Sequence, residues 1–187
     1  SVHRTIQVPA GSNFHCDASF IGNFSRHKSD YLAHLAQQKE IKIRIWGGTW
    51  QVAPPVLQSA IQGTSISGDL YAMAINASKI NIALLSERVT GASRGDQITS
   101  RTFHIPGAGG FMLHQRTDEV KEYFKEDVEM ACFSSKEELM DKVMFYLQHE
   151  TSRLLIARRG YERANAFHSL DQRAVQVMDI LRREFSI

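Results

Sequence analysis

Residues Gly95 to Gln115, GDQITSRTFHIPGAGGFMLHQ, concentrate the groups of this chain best suited to chemistry. A donor-rich turn holding Asp96, Thr99, Ser100 and Arg101 runs into a short apolar helix, then a glycine cluster, then a strand. Helix starts leave N–H groups unpaired and carry partial positive charge, so they bind anions. A guanidinium there can grip phosphate oxygens through paired, charge-assisted bonds. The hydroxyls of Thr99, Ser100 and Thr102 add donors, although Ser and Thr equally serve as helix caps. The combination points to a diphosphate or nucleotide site. Gly107, Gly109 and Gly110 either admit a ligand close to the backbone or end the helix and permit close packing, with packing the simpler reading for Gly107.

A second group, Gly22, Asn23, Arg26 and Lys28, follows the first apolar run. Fixed cations beside a departing diphosphate stabilise its growing charge, and Arg26 is favoured over Lys28 for that task. The plainer alternative is a turn with surface charge. Trp46 and Trp50 flank another turn, where an aromatic face could stack on a base, but core burial is the expected fate of Trp46. His15, His27, His34, His114, His149 and His168 show no metal-ligand spacing, and no Asp-x-Asp occurs. Cys132, before Phe133, reads as a buried, inert thiol.

Those groups need elements to hold them. Cys16 to Phe24 reads as a strand ending in a Gly-Asn turn, with Ser25 or Ser29 capping a helix through Tyr31, Leu32 and Leu35. Ile41 to Trp46 alternates as a strand does and stops at Gly47-Gly48. A helix near Ser67–Ser78, with Leu70, Met73, Ala74 and Ala77 facing the core, precedes a strand over Lys79–Leu85. The loop Ser86–Thr99 is long enough to be functional. A helix near Ser100–Gly107, a strand Gly110–His114, a helix from Thr117 to Phe124 and a strand Val128–Cys132 follow. Ser134 or Ser135 with Glu137 or Glu138 opens a capped helix ending near His149. The rest, to Phe185, is helical by pattern, broken around His168–Leu170. Strand–helix alternation of this kind predicts an α/β fold, a Rossmann-like parallel sheet with helices on both faces and a helical C-terminal tail. Ligands bind such sheets beyond the carboxyl ends of the strands, so the turns after Ile21, Trp46 and Leu85 and before Phe103 should converge there.

Composition bounds the reading. The 187 residues fit one domain, expected over 16–187 after a lead-in over 1–15, with 43% hydrophobic and 22% charged residues. A net charge of +2 is too balanced to argue for nucleic acid. No run reaches the ~20 apolar residues of a membrane span. Two cysteines without a framework suit a reducing cytoplasm.

The run Arg101–Gly110, RTFHIPGAGG, resembles the Arg-Thr-Phe-Glu-hydrophobic-Pro-Ala-x-Gly-Gly signature of the C-terminal nucleotide-sugar-binding half of GT-B glycosyltransferases, in particular the CgeB-like (spore maturation protein) group. FIGNFSRHKSDYL, IWGGTW and VEMACFSSKEELMDKVMFYLQHETSRLLIARRGYERA extend the likeness from about residue 16 onward. The resemblance implies a nucleotide-diphosphate sugar as donor and no metal or other cofactor. It also implies a partner: an N-terminal acceptor-binding domain, for which residues 1–15 leave no room and which the chain's opening at Ser1 is consistent with lacking. Two glutamates seven residues apart serve the donor in many retaining members; Asp96 and His104 hold those places here. His104 departs from Glu, since an imidazole lacks two acceptor oxygens for a ribose diol. The expected function is therefore donor binding within a glycosyltransferase, the isolated chain transferring sugar poorly or not at all. A non-catalytic nucleotide-binding or assembly module descended from one is the alternative, and a flavodoxin-like regulatory domain ranks last.

Overall fold

The computed structural model describes residues 4–63, 65–86 and 95–185. Residues 87–94 of the Ser86–Thr99 loop lie outside them. Five parallel strands form one sheet in the order β2-β1-β3-β4-β5. They are β1 (Cys16–Ile21), β2 (Ile43–Trp46), β3 (Ser78–Ala83), β4 (Met112–Gln115) and β5 (Ala131–Phe133). Between them run α1 (Arg26–Leu35), two 3-10 helices (Trp50–Val52 and Pro55–Ala60), α2 (Gly68–Asn76), α3 (Ser100–Gly107) and α4 (Asp118–Tyr123). Three consecutive helices, α5 (Lys136–Gln148), α6 (Glu150–Phe167) and α7 (Leu170–Phe185), complete the chain.

Strands buried on both faces read as nearly continuous apolar runs, and the side-chain period of two sends alternate residues to two cores. Ala18, Phe20, Ile80, Ile82 and Leu113 pack with Leu32 and Leu35 of α1 and Leu139 and Val143 of α5. On the other face Ala83, Met112 and Cys132 pack with Ile75, Ile105, Val120 and Phe124. Helix α6 joins both, through Ile156 and Ala157 on one side and Ala164 on the other. Ser25 caps α1 and Ser135 caps α5, so the first of one offered pair and the second of the other take the role.

Local expectations shift in instructive ways. The first strand stops at Ile21, because Gly22–Phe24 turn toward the next strand rather than continuing the ladder. Pro54-Pro55 opens a 3-10 helix instead of a plain loop, Pro55 occupying the first position where its missing N–H is harmless. On α2 the buried positions are Ala72, Ala74 and Ile75, while Leu70 is exposed, the helix being rotated from the expected face. The break before α7 falls at His168 as the pattern predicts.

After β1 the chain visits β2 on one side and then β3 on the other. Ligands favour this reversal point at the carboxyl edge of a parallel sheet. No helix among the described residues is long and apolar enough to cross a membrane.

Candidate functional site

The turns leaving β1 and β2 are zipped together. Gly22 N–H donates to Trp46 O at 2.8 Å, Phe24 N–H to Gly48 O at 3.0 Å, and Gly48 N–H to the Asn23 Oδ1 at 2.9 Å. Trp50 Nε1 donates to Gly22 O at 2.8 Å, with its ring edge-on to Phe20 and Phe24. Trp46 is buried and stacks on Phe14 at 5.5 Å, so neither tryptophan offers an open face to a base. Asn23 is thereby spent largely on holding the second turn.

Arg101, in the first turn of α3, reaches across this edge. Its Nη2 donates to Leu84 O at 2.8 Å and its Nη1 to Ile21 O at 3.3 Å, stapling the ends of β3 and β1, while the guanidinium lies 5.2 Å over the Phe20 ring. Gly22 makes this possible, since a Cβ there would come within 2.7 Å of Nη1. Behind the guanidinium, Ser19, Tyr71, Asn81 and Ile105 leave no room for water. In front, a cleft of about 250 Å³ opens, lined by Gly22, Asn23, Ser65, Tyr71, Ser100 and Arg101 among others. Nε is inaccessible to water and has no hydrogen-bond partner among the described residues. No described carboxylate forms an ion pair with the group. Burial lowers the guanidinium's pKa, with Tyr71 and Asp96 acting against it. A shielded cation held only by carbonyls is an arrangement that a bound anion completes.

Thr99 is the N-cap of α3 and its N–H donates to Thr102 Oγ1 at 3.1 Å. Thr102 does not face the cleft: it is fully buried, and its hydroxyl lies 2.8 Å from His114 Nε2. His114 Nδ1 sits 2.6 Å from Gln115 O. A carbonyl can only accept, so Nδ1 carries the proton and Nε2 accepts from Thr102. Burial pushes the His114 pKa down to about 4. Between that value and the ordinary 6.5 the unfolded chain takes up a proton that the folded chain refuses. This residue's contribution is therefore fully present above pH 6.5 and is lost as pH falls toward 4, by roughly 3 kcal/mol in all. Urea titrations at pH 7 and pH 4.5 should show a fall in wild type that is clearly smaller in His114→Leu.

Of the two cations after β1, the one expected to matter less is the better placed. Lys28 is buried, and its ammonium donates to Asn23 O at 3.3 Å and to Ser86 Oγ at 3.4 Å, bridging the ends of β1 and β3. Arg26, at the first position of α1, is exposed. Asp96 is exposed and lines a neighbouring cleft of about 390 Å³ with His27, Ser86, Gln115 and Arg116. His104 is half-buried, its ring edge-on to Tyr71 at 5.7 Å. Gly109 and Gly110 sit at the amino end of β4, the opposite edge of the sheet. A Cβ on Gly110 would meet Ile75 at 2.4 Å and Asn81 at 2.7 Å, so these glycines serve packing, not this cleft. The structure thus gathers Gly22, Asn23, Lys28, Thr99, Ser100 and Arg101 at one edge with Asp96 and His104 nearby, and leaves out Gly109, Gly110 and the hydroxyl of Thr102.

Tyr71 and His114 escaped the reading of the sequence as site residues. A lone tyrosine and a histidine in an apolar strand carry no local signal of what lies across the sheet. Tyr71 is desolvated enough for its hydroxyl pKa to rise to about 12, so it stays a neutral donor beside the cleft.

Known structures share this architecture. Sucrose-phosphate synthase from Thermosynechococcus elongatus superposes with a TM-score of 0.75 at 14% identity, over 96% of this chain and 47% of that one. HepE from Anabaena, solved in complex with UDP-glucose, gives 0.70 at 12% identity, over 90% and 49%. The C-terminal domain of a glycosyl transferase group 1 family protein from Francisella tularensis gives 0.58 at 11% identity, over 83% and 87%. The present chain thus spans about half the length of the first two. No curated protein matches the sequence significantly. The family model described as Glycosyl transferase-like matches residues 26–179.

Proposed function

Since the chain belongs to the Glycosyl transferase-like family, we propose that it is the donor-binding half of a two-domain glycosyltransferase and holds the nucleotide-diphosphate part of an activated sugar. The observation that carries this reading is Arg101: a shielded guanidinium at the strand-end cleft that forms no ion pair with a described carboxylate. Arg101, the α3 start at Ser100, and Lys28 together supply the positive field for two linked phosphates. Asp96 stands toward the sugar and His104 toward the ribose, the places their spacing gives them in the GT-B pattern. UDP is the first donor nucleotide to test, because the Anabaena neighbour is solved with UDP-glucose. The RTFHIPGAGG run supports the finer reading of a CgeB-like transferase.

Calorimetry with UDP, ADP, GDP and inorganic diphosphate tests the reading. At least one nucleoside diphosphate should bind, and inorganic diphosphate should compete with it. No heat with any of them overturns the assignment.

Helix α7 supports the two-domain reading. None of its residues is buried, and Val175, Val177, Met178, Ile180 and Phe185 are exposed. An apolar stripe of this kind wants a partner, which we assign to an N-terminal acceptor-binding domain. The contacts of α7 with the present domain are few, mainly Arg173 over the Phe103 and Tyr123 rings. A chain ended after Ser169 should therefore lose no more than about 1 kcal/mol in urea unfolding. His104 also sustains the second reading, a binding module that has lost transfer. His104→Glu should raise nucleotide affinity in a donor-binding domain and leave it unchanged in a relic.

A further inference from the structure

The first turn of α3 is pinned to the sheet twice, and only one pin touches the cleft. Arg101 ties it to β1 and β3 through Ile21 O and Leu84 O. The other pin runs through the interior: Thr99 N–H to Thr102 Oγ1, Thr102 hydroxyl to His114 Nε2, His114 Nδ1–H to Gln115 O. Gln115 extends it, since its Oε1 accepts from Leu85 N–H at 3.2 Å, one residue past the carbonyl that Arg101 holds. Thr102 and His114 are both fully buried, so water cannot replace the link between them.

We propose that His114 is a positioning residue for the donor site: acting through Thr102, it fixes the rotation of the α3 start, so that Arg101 and the Ser100 and Arg101 amides meet the donor's diphosphate. This rests on the donor-binding reading above. An acceptor at Nε2 makes Thr102 donate inward, which leaves its oxygen lone pairs for the Thr99 N–H. That bond satisfies one of the helix's four orphan amides and leaves those of Ser100 and Arg101 for a ligand. Without the acceptor, the Thr102 hydroxyl is a buried donor with nowhere to go, and the helix start must rotate to satisfy it.

The experiment uses two pairs of variants in the full chain. Thr102→Val removes the hydroxyl at constant shape and Thr102→Ser restores it; His114→Leu removes the acceptor and His114→Gln supplies one. Amide hydrogen exchange at Thr99 and UDP titration are read for each. Thr102→Val and His114→Leu should exchange at Thr99 at least tenfold faster and bind UDP about tenfold more weakly, with recovery in Thr102→Ser and His114→Gln. Leu139→Ala, a core change under α5 far from this chain of bonds, should lower stability without altering UDP affinity. Wild-type exchange and affinity in Thr102→Val overturn the proposal, as does an equal affinity loss in Leu139→Ala. If wild type binds none of UDP, ADP, GDP and inorganic diphosphate, the donor-binding reading fails, while Thr99 exchange still decides whether His114 governs the helix start.

Discussion

Replacing Arg101 by alanine should lower UDP affinity about 100-fold, or about 2.7 kcal/mol, on the scale of losing a charged, paired hydrogen-bond donor. The side chain does two things at once. It presents charge to the cleft, and it satisfies Ile21 O and Leu84 O, which end two adjacent strands. Removal should therefore also cost about 1–3 kcal/mol of stability by leaving these carbonyls without their donor. Arg101→Lys separates the two. Lysine keeps the charge, but a single ammonium cannot span both carbonyls and still present a planar fork to phosphate. It should recover under a tenth of the lost affinity. Calorimetry of the three proteins measures the affinities, and urea unfolding the stabilities. UDP affinity within threefold of wild type in Arg101→Ala would remove the basis of the functional assignment.

Gly47→Ala should be the most damaging single-methyl change in the chain. Gly47 has φ +148°, in the region that side chains avoid, and a Cβ there would lie 2.1 Å from Gly22 O. Both clashing parts are backbone, so no rotamer change relieves them. The turns after β1 and β2 would have to separate, losing the Gly22–Trp46 and Phe24–Gly48 bonds and the Trp50 anchor. A loss of roughly 3 kcal/mol or more is expected from strain and broken bonds together. UDP affinity should fall with it, since Gly22 and Arg101 are in van der Waals contact. Gly11→Ala is the control: a Cβ there meets nothing within 4 Å, and the change should stay within about 0.5 kcal/mol. Equal urea midpoints for Gly47→Ala and wild type would contradict the fused-turn geometry.

Much of the site's address was legible before any coordinates. Parallel strands must present all their carboxyl ends at one edge, so the turns after Ile21 and Trp46 and the start of α3 were bound to meet. Arg101 drew notice because a cation at a helix start beside a strand end suits an anion. The division of labour around it was not readable. Arg26 and Lys28 share one helical turn and one charge, and only the packing of α1 decides that Lys28 turns inward to Asn23 and Ser86 while Arg26 faces water. Gly109 and Gly110 end the motif in sequence, but the eight residues of α3 carry the chain to the sheet's opposite edge before them.

The sequence by itself determined the fold class, the strand–helix order and the edge at which the candidate site residues meet, because hydrophobic period and turn chemistry are local properties of the chain. Tertiary structure alone decided which polar groups face that edge. Thr102 and His114 are twelve residues apart and look like any cap and any strand histidine, yet they share one buried hydrogen bond. Whether a polar side chain is spent inside or offered outside depends on what the fold sets opposite it, and no spacing along the chain records that.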